Sequence, residues 1–79
     1  MRIDKFLKVS RLIKRRTVAN EACDGQRISV NGRVVKASYN IAVGDVIEIR
    51  FGERTLKVEV LNVSEHVSKS DAGAMYIEC

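Results

Sequence analysis

Gly25-Gln26-Arg27-Ile28-Ser29-Val30-Asn31-Gly32-Arg33-Val34-Val35-Lys36 is the stretch that decides the fold. From Arg27 onward apolar and polar residues alternate with period two, and Asn31-Gly32 interrupts the alternation. An Asn-Gly pair between two such runs is the strongest short-range signal of a β-hairpin, because both positions of a two-residue turn need positive φ. Alternation turns Ile28 and Val30 inward and leaves Arg27 and Ser29 facing out.

Upstream of the hairpin the period is helical. Ile3, Phe6 and Leu7 recur at i, i+3 and i+4, with Ser10 on the same face, which predicts a helix of about two turns. Asp4 near its start suits the positive end of the helix dipole. Leu12 would fall off the apolar face, so the helix breaks around Ser10–Ile13. A second helix runs from Lys14 or Arg15 to Asp24, with Val18, Ala19, Ala22 and Cys23 as a narrow buried stripe and Gly25 as its stop.

Downstream, Ala37–Ala42 is irregular and Val43-Gly44-Asp45 forms a turn. Two strands follow, Val46–Phe51 with Ile47, Ile49 and Phe51 on one face, and Arg54–Val63 with Leu56, Val58 and Val60 on one face. Gly52-Glu53 joins them as a second hairpin. Ala74-Met75-Tyr76-Ile77 either adds an edge strand or packs against the sheet. The predicted class is α+β: two short N-terminal helices packed on a small, mostly antiparallel β-sheet. Residues 1–79 read as one domain, with a core motif over about 2–50 and a hairpin extension and tail over about 51–79.

Charge divides the chain. Residues 1–36 hold ten Lys and Arg against three acids, a balance of +7, while 37–79 hold four against seven, a balance of −3. A basic half on a small domain points to a polyanion as partner. Lys14, Arg15 and Arg16 fall in the first turn of the second helix, where cations oppose the dipole and repel one another. Folding gains nothing from that arrangement, whereas anion binding does.

Other classes are excluded by what the residues lack. The longest apolar run, Ala74–Ile77, is far short of the roughly 20 residues that cross a bilayer. The start, Met1-Arg2-Ile3-Asp4-Lys5, is too charged for a signal peptide. A cytoplasmic location follows, with no membrane partner. Cys23, Cys79 and the single His66 do not make a zinc site, which takes four ligands. Cys23 on an apolar helix face reads as a small buried hydrophobe, and Cys79 as inert. His66 sits in a polar loop, Asn62–Gly73, so a catalytic Cys–His pair is disfavoured. No phosphate-loop, dinucleotide or nucleophile-elbow motif is present. The expectation is a protein that is not an enzyme and needs no cofactor or metal.

The order of these pieces resembles the S4 RNA-binding domain. The resemblance rests on Arg2-Ile3-Asp4-Lys5-Phe6-Leu7, then Arg15-Arg16-Thr17, Gly25, Ile28-Ser29-Val30-Asn31-Gly32, Lys36-Ala37-Ser38 and Val43-Gly44-Asp45-Val46-Ile47. Lys36-Ala37-Ser38 departs from the family's commoner Lys-Pro-Ser. Over its whole length the chain is similar to the short stand-alone members of the family, which serve ribosome quality control and the heat-shock response. The run from Lys5 to Thr17, the hairpin after Val46 and Met75-Tyr76 carry that likeness.

The resemblance implies a monomeric, non-catalytic binder of large-subunit rRNA and peptidyl-tRNA on obstructed 50S ribosomal subunits. It implies cooperation with the quality-control factor that adds C-terminal alanine tails to stalled chains. The RNA-binding residues it implies are Arg2, Lys5, Lys8, Arg11, Lys14, Arg15, Arg16 and Thr17 on the helix pair, with Asn31, Gly32 and Lys36 of the hairpin beside them. Asn31-Gly32 is also required by the turn itself, and Lys5 and Lys8 stand where any surface helix carries lysines. Asp4 is expected to orient a neighbouring arginine, and Tyr39 and Tyr76 to be half-buried. The alternatives are a general heat-shock RNA binder and a small helix-turn-helix DNA-binding protein, whose second helix would here be too short and too buried to read a major groove.

Overall fold

Ile28–Val30 (β1) and Arg33–Val34 (β2) form the hairpin that their period requires, joined by Asn31 at φ 52° and Gly32 at φ 84°. This computed structural model describes residues 1–64 and 71–79. Helices α1 (Ile3–Val9) and α2 (Arg16–Asp24) precede the hairpin. Strands β3 (Val46–Phe51) and β4 (Arg54–Val60) follow, then a 3-10 turn (Ala72–Met75) and β5 (Tyr76–Glu78). The strands make one sheet in the order β2-β1-β3-β4-β5. Every pairing is antiparallel, so the sheet is fully rather than mostly so.

Both helices cover one face of this sheet. Phe6, Ile3 and Leu7 of α1 and Ala19, Ala22 and Cys23 of α2 form one core with Ile28, Val30, Ile47, Ile49, Val58, Val60 and Met75. Each large side chain there contributes about 1.5–3 kcal/mol of transfer free energy, which a thin core needs. The small residues of α2 let it lie close to α1. Burial pushes the Cys23 thiol up to about 11, assisted by the charges of Asp4 and Asp24, so it stays protonated as a core side chain.

Irregular backbone between β2 and β3 has a definite task. The Tyr39 and Ala37 carbonyls accept the Ile3 and Asp4 amides at 2.7 and 3.3 Å, satisfying donors that open the first turn of α1. The Ile41 amide donates to the Met1 carbonyl at 2.9 Å. Residues 37–41 therefore spend their polar groups on α1 instead of on a strand. The two turns read separately in the sequence are also joined. Asn31 Nδ2 donates to Asp45 Oδ1 at 3.1 Å, and Asn31 Oδ1 accepts the Val46 amide at 3.0 Å.

Several expectations are corrected. Lys14 and Arg15 precede α2 rather than sitting in its first turn, with Arg15 as an extended N-cap. Val18 is exposed, and the buried stripe is only Ala19, Ala22 and Cys23. Phe51 follows the alternation of Ile47 and Ile49 but is exposed, because it lies at the hairpin end where the core stops. Strand β4 ends at Val60, since the Leu61 and Asn62 amides both turn to the Met75 carbonyl. Tyr39 is exposed while Tyr76 is half-buried. The tail does both things foreseen for it: Met75 packs into the core, and Tyr76–Glu78 adds an edge strand. His66 lies outside the described residues.

Gly25 caps α2 where the sequence put its stop, without itself taking left-handed backbone. Its φ is −81°, and Gln26 takes φ 61° instead. The Gln26 amide donates to the Cys23 carbonyl and the Arg27 amide to the Ala22 carbonyl, a full Schellman motif. Space is tight at Gly25, since a Cβ there would stand 3.1 Å from the Glu21 carbonyl oxygen and that backbone would have to give by a few tenths of an ångström.

Candidate nucleic-acid interface

Asp4 is the centre of the helix pair's polar surface. It opens α1 yet is 2 % exposed, and its carboxylate accepts hydrogen bonds from four residues of α1, its N-cap and α2. Arg2 approaches as a fork, with Nε on Oδ1 and Nη2 on Oδ2, each at 3.2 Å. Arg16 Nη2 donates to Oδ1 and Asn20 Nδ2 to Oδ2, each at 3.4 Å. The Lys5 amide donates to Oδ1 at 2.8 Å. Burial by itself would raise this carboxyl, but the Arg16 and Asn20 hydrogen bonds, the Arg16 charge and the Lys5 amide outweigh it and hold the pKa below the usual carboxylate range.

The consequence is electrostatic and geometric. One buried anion holds two arginines that are themselves 48 % and 45 % exposed. A guanidinium has five N–H donors in a rigid fork. Arg16 gives one of them to Asp4 and Arg2 gives two, so both keep donors turned to solvent. The cluster carries net positive charge and is aimed in advance, the condition for bidentate binding of a phosphate. Arg2, Asp4, Arg16, Thr17, Asn20 and Glu21 line one shallow depression.

The other expected residues are mostly at the surface of the helix pair and the loop that joins it. Lys8, Arg11, Lys14, Arg15 and Thr17 are exposed, and Lys5 is half-buried. Lys36 is exposed and one residue before Ala37, whose carbonyl accepts the Asp4 amide, so it lies near the cluster. Asn31 and Gly32 are exposed too, but the hydrogen bonds of Asn31 tie the hairpin tip to residues 45–46 and not to the helices. Asn31 thus has its side chain committed within the fold. Asn20 was missed in the sequence, although it stands four residues after Arg16, on the same helical face.

Arg11 adds a backbone observation. It follows the Ser10 C-cap of α1 at φ 64°, and its amide donates to the Lys8 carbonyl at 3.1 Å. This is the position where glycine is favoured, and a side chain in left-handed backbone costs about 1–2 kcal/mol. Arg11→Gly is expected to raise stability by about 1 kcal/mol, or roughly 4–8 °C in Tm for a domain of this size, while weakening RNA binding. Thermal melts and an RNA titration of the same variant check the two opposite signs.

Fold and surface together define a small α+β binding module whose cationic face is built on a helix pair. The chain belongs to the S4 domain family, whose model matches residues 1–47. It is 55 % identical over 76 residues to the RQC P-site tRNA stabilizing factor of Halalkalibacterium halodurans, covering 96 % of this chain and 86 % of that one. The factor of the same name from Streptococcus pneumoniae is 54 % identical over the same shares. Among solved structures, the trimeric Heat Shock Protein 15 of Vibrio cholerae superposes with a TM-score of 0.91 at 26 % identity, over 100 % of this chain and 81 % of that one. Among the described residues no helix is long and apolar enough to cross a membrane, and no group of His, Cys, Asp and Glu is placed to hold a metal.

Proposed function

We propose that this protein is an RNA-binding factor of ribosome quality control that acts by binding and carries out no chemistry. It holds large-subunit rRNA and peptidyl-tRNA on obstructed 50S subunits, in the cytoplasm, and so supports C-terminal alanine tailing by the partner quality-control factor. The observation that carries the reading is the pair Arg2 and Arg16 held by the buried carboxylate of Asp4. Lys5, Lys8, Arg11, Lys14, Arg15 and Thr17 extend that surface over the helix pair, and Lys36 flanks it. Asn31 and Gly32 contribute by shaping the hairpin.

Two features support this over the alternatives. The relatives at 55 % and 54 % identity bear a name that speaks of P-site tRNA, whereas the Heat shock protein 15 homolog of Aeromonas salmonicida is 32 % identical over 82 % of this chain and only 49 % of its own length. A helix-turn-helix reading needs the second helix free to enter a groove, but α2 buries Ala19, Ala22 and Cys23 and ties Arg16 and Asn20 to Asp4. RNA duplexes hide their base edges in a deep, narrow groove, so a small rigid module engages backbone shape and phosphates. The unit that binds is the monomer.

If about six phosphates are neutralised, log K falls against log salt with a slope of roughly −4 to −5. Titration of 50S–tRNA complexes over a range of salt concentrations measures it. An affinity independent of salt would overturn the proposal.

A further inference from the structure

The face of the sheet turned away from the helices carries a second pair of arginines that the helix-pair surface does not use. Ile28 is paired with Ile49, so Arg27 and Arg50 stand opposite each other one step along, and the Arg50 amide donates to the Arg27 carbonyl at 2.9 Å. Like charges directly opposite across two strands are destabilising. Both side chains are exposed, and neither forms an ion pair with a described acid. Glu48, on the same face of β3, instead has Lys57 at 3.9 Å across the next strand pair. Gln26, Ser29 and Thr55 line the same groove and add an amide and two hydroxyls as donors. A groove rich in donors, whose one carboxylate already has a cation beside it, is complementary to an anion.

Its position separates it from the Asp4 cluster. Arg16 opens α2, and Gln26 and Arg27 follow its end, so the two arginine pairs are roughly 13 Å apart along that helix. They also lie on opposite sides of the molecule, since the helices cover only the other face of the sheet. One phosphate cannot reach both.

We infer that the groove between Arg27 and Arg50 binds the phosphodiester backbone of a second RNA segment while the helix pair holds the first. The inference rests on the reading of this chain as an RNA binder. It makes the protein a bridge, with one RNA contact per face. A repeating phosphate backbone is favoured as occupant because the two arginines bring fixed positive charge and forked donors, and the flanking hydroxyls can donate beside them.

Amide chemical shifts of the full chain, titrated at low salt with a short A-form RNA stem-loop, test this. Two groups of signals are expected to move, one around residues 16–20 and one at Ser29, Glu48, Arg50 and Thr55. Arg16→Ala should abolish the first group and keep the second. The double variant Arg27→Gln/Arg50→Gln should do the reverse, lowering bound RNA from two per protein to one and flattening the salt slope by about 1–2. Signal dispersion reports whether the double variant is folded, and Arg50→Thr alone is a milder substitute in the strand. A sheet group that stays still in the wild type overturns the inference. So does a sheet group moved as strongly by inorganic phosphate or poly-glutamate as by RNA. A silent helix group with a moving sheet group would instead overturn the helix-pair reading and leave the groove standing.

Discussion

Arg16→Ala is expected to weaken binding to 50S–tRNA complexes by roughly 10- to 100-fold, because a hydrogen bond from a charged donor is worth about 1.5–3 kcal/mol. The fold should survive, for reasons visible around Asp4. With Arg16 gone, the carboxylate still accepts the Arg2 fork, Asn20 and the Lys5 amide. Arg16 itself is 45 % exposed, so an ion pair of this kind adds little to stability. Arg16→Lys should fall between the two, keeping the charge and losing the planar fork. Co-sedimentation with 50S subunits, alongside a thermal melt, separates lost contact from lost fold. Undiminished co-sedimentation of the alanine variant would remove Arg16 from the interface.

Asp4→Ala should impair both folding and binding. The carboxylate joins α1 to α2 through partners 12 and 16 residues away, and its loss leaves the Lys5 amide and Asn20 without their acceptor. Leaving such groups unsatisfied costs about 1–3 kcal/mol, a large part of the stability of a chain this small. Arg2 and Arg16 would then repel each other and lose their shared aim, so RNA affinity should drop even at temperatures where the variant is folded. Asp4→Asn keeps the volume and isolates the charge.

The pH dependence follows from the sign of the shift. The folded pKa of Asp4 lies below its ordinary value of 3.8, so its stabilising contribution is fully present above that value. It is lost as pH falls from there through the folded pKa. Acid melts should therefore show the wild type losing stability more steeply below about pH 4 than Asp4→Asn does. Parallel acid curves would mean that the Asp4 charge is not coupled to folding.

Legibility in the sequence followed the range of the interaction. Both helices, the Asn31-Gly32 hairpin and strands β3 and β4 were readable, since each is written in a spacing of two to four residues. The basic character of the helix pair was readable for the same reason. Three features were not. Gly25 was legible as the stop of α2, but not that Gln26 rather than the glycine takes the left-handed backbone of the Schellman motif. Val18 and Phe51 fit their apolar stripes by period, but period says nothing about where the covering layer ends. Burial of Asp4 was hidden because a charged residue in a first turn is ordinarily solvated.

By itself, then, the sequence determined the elements, their order, the hairpin register at Asn31-Gly32 and the concentration of cations in residues 1–36. These depend on local periodicity and backbone preference. Tertiary structure decided which cations work together. Arg2 and Arg16 become one site only because α1 and α2 pack closely enough to share Asp4, and Arg27 meets Arg50 only through the pairing of β1 with β3. A linear chain carries charge without direction. The packed core brings those charges together in pairs.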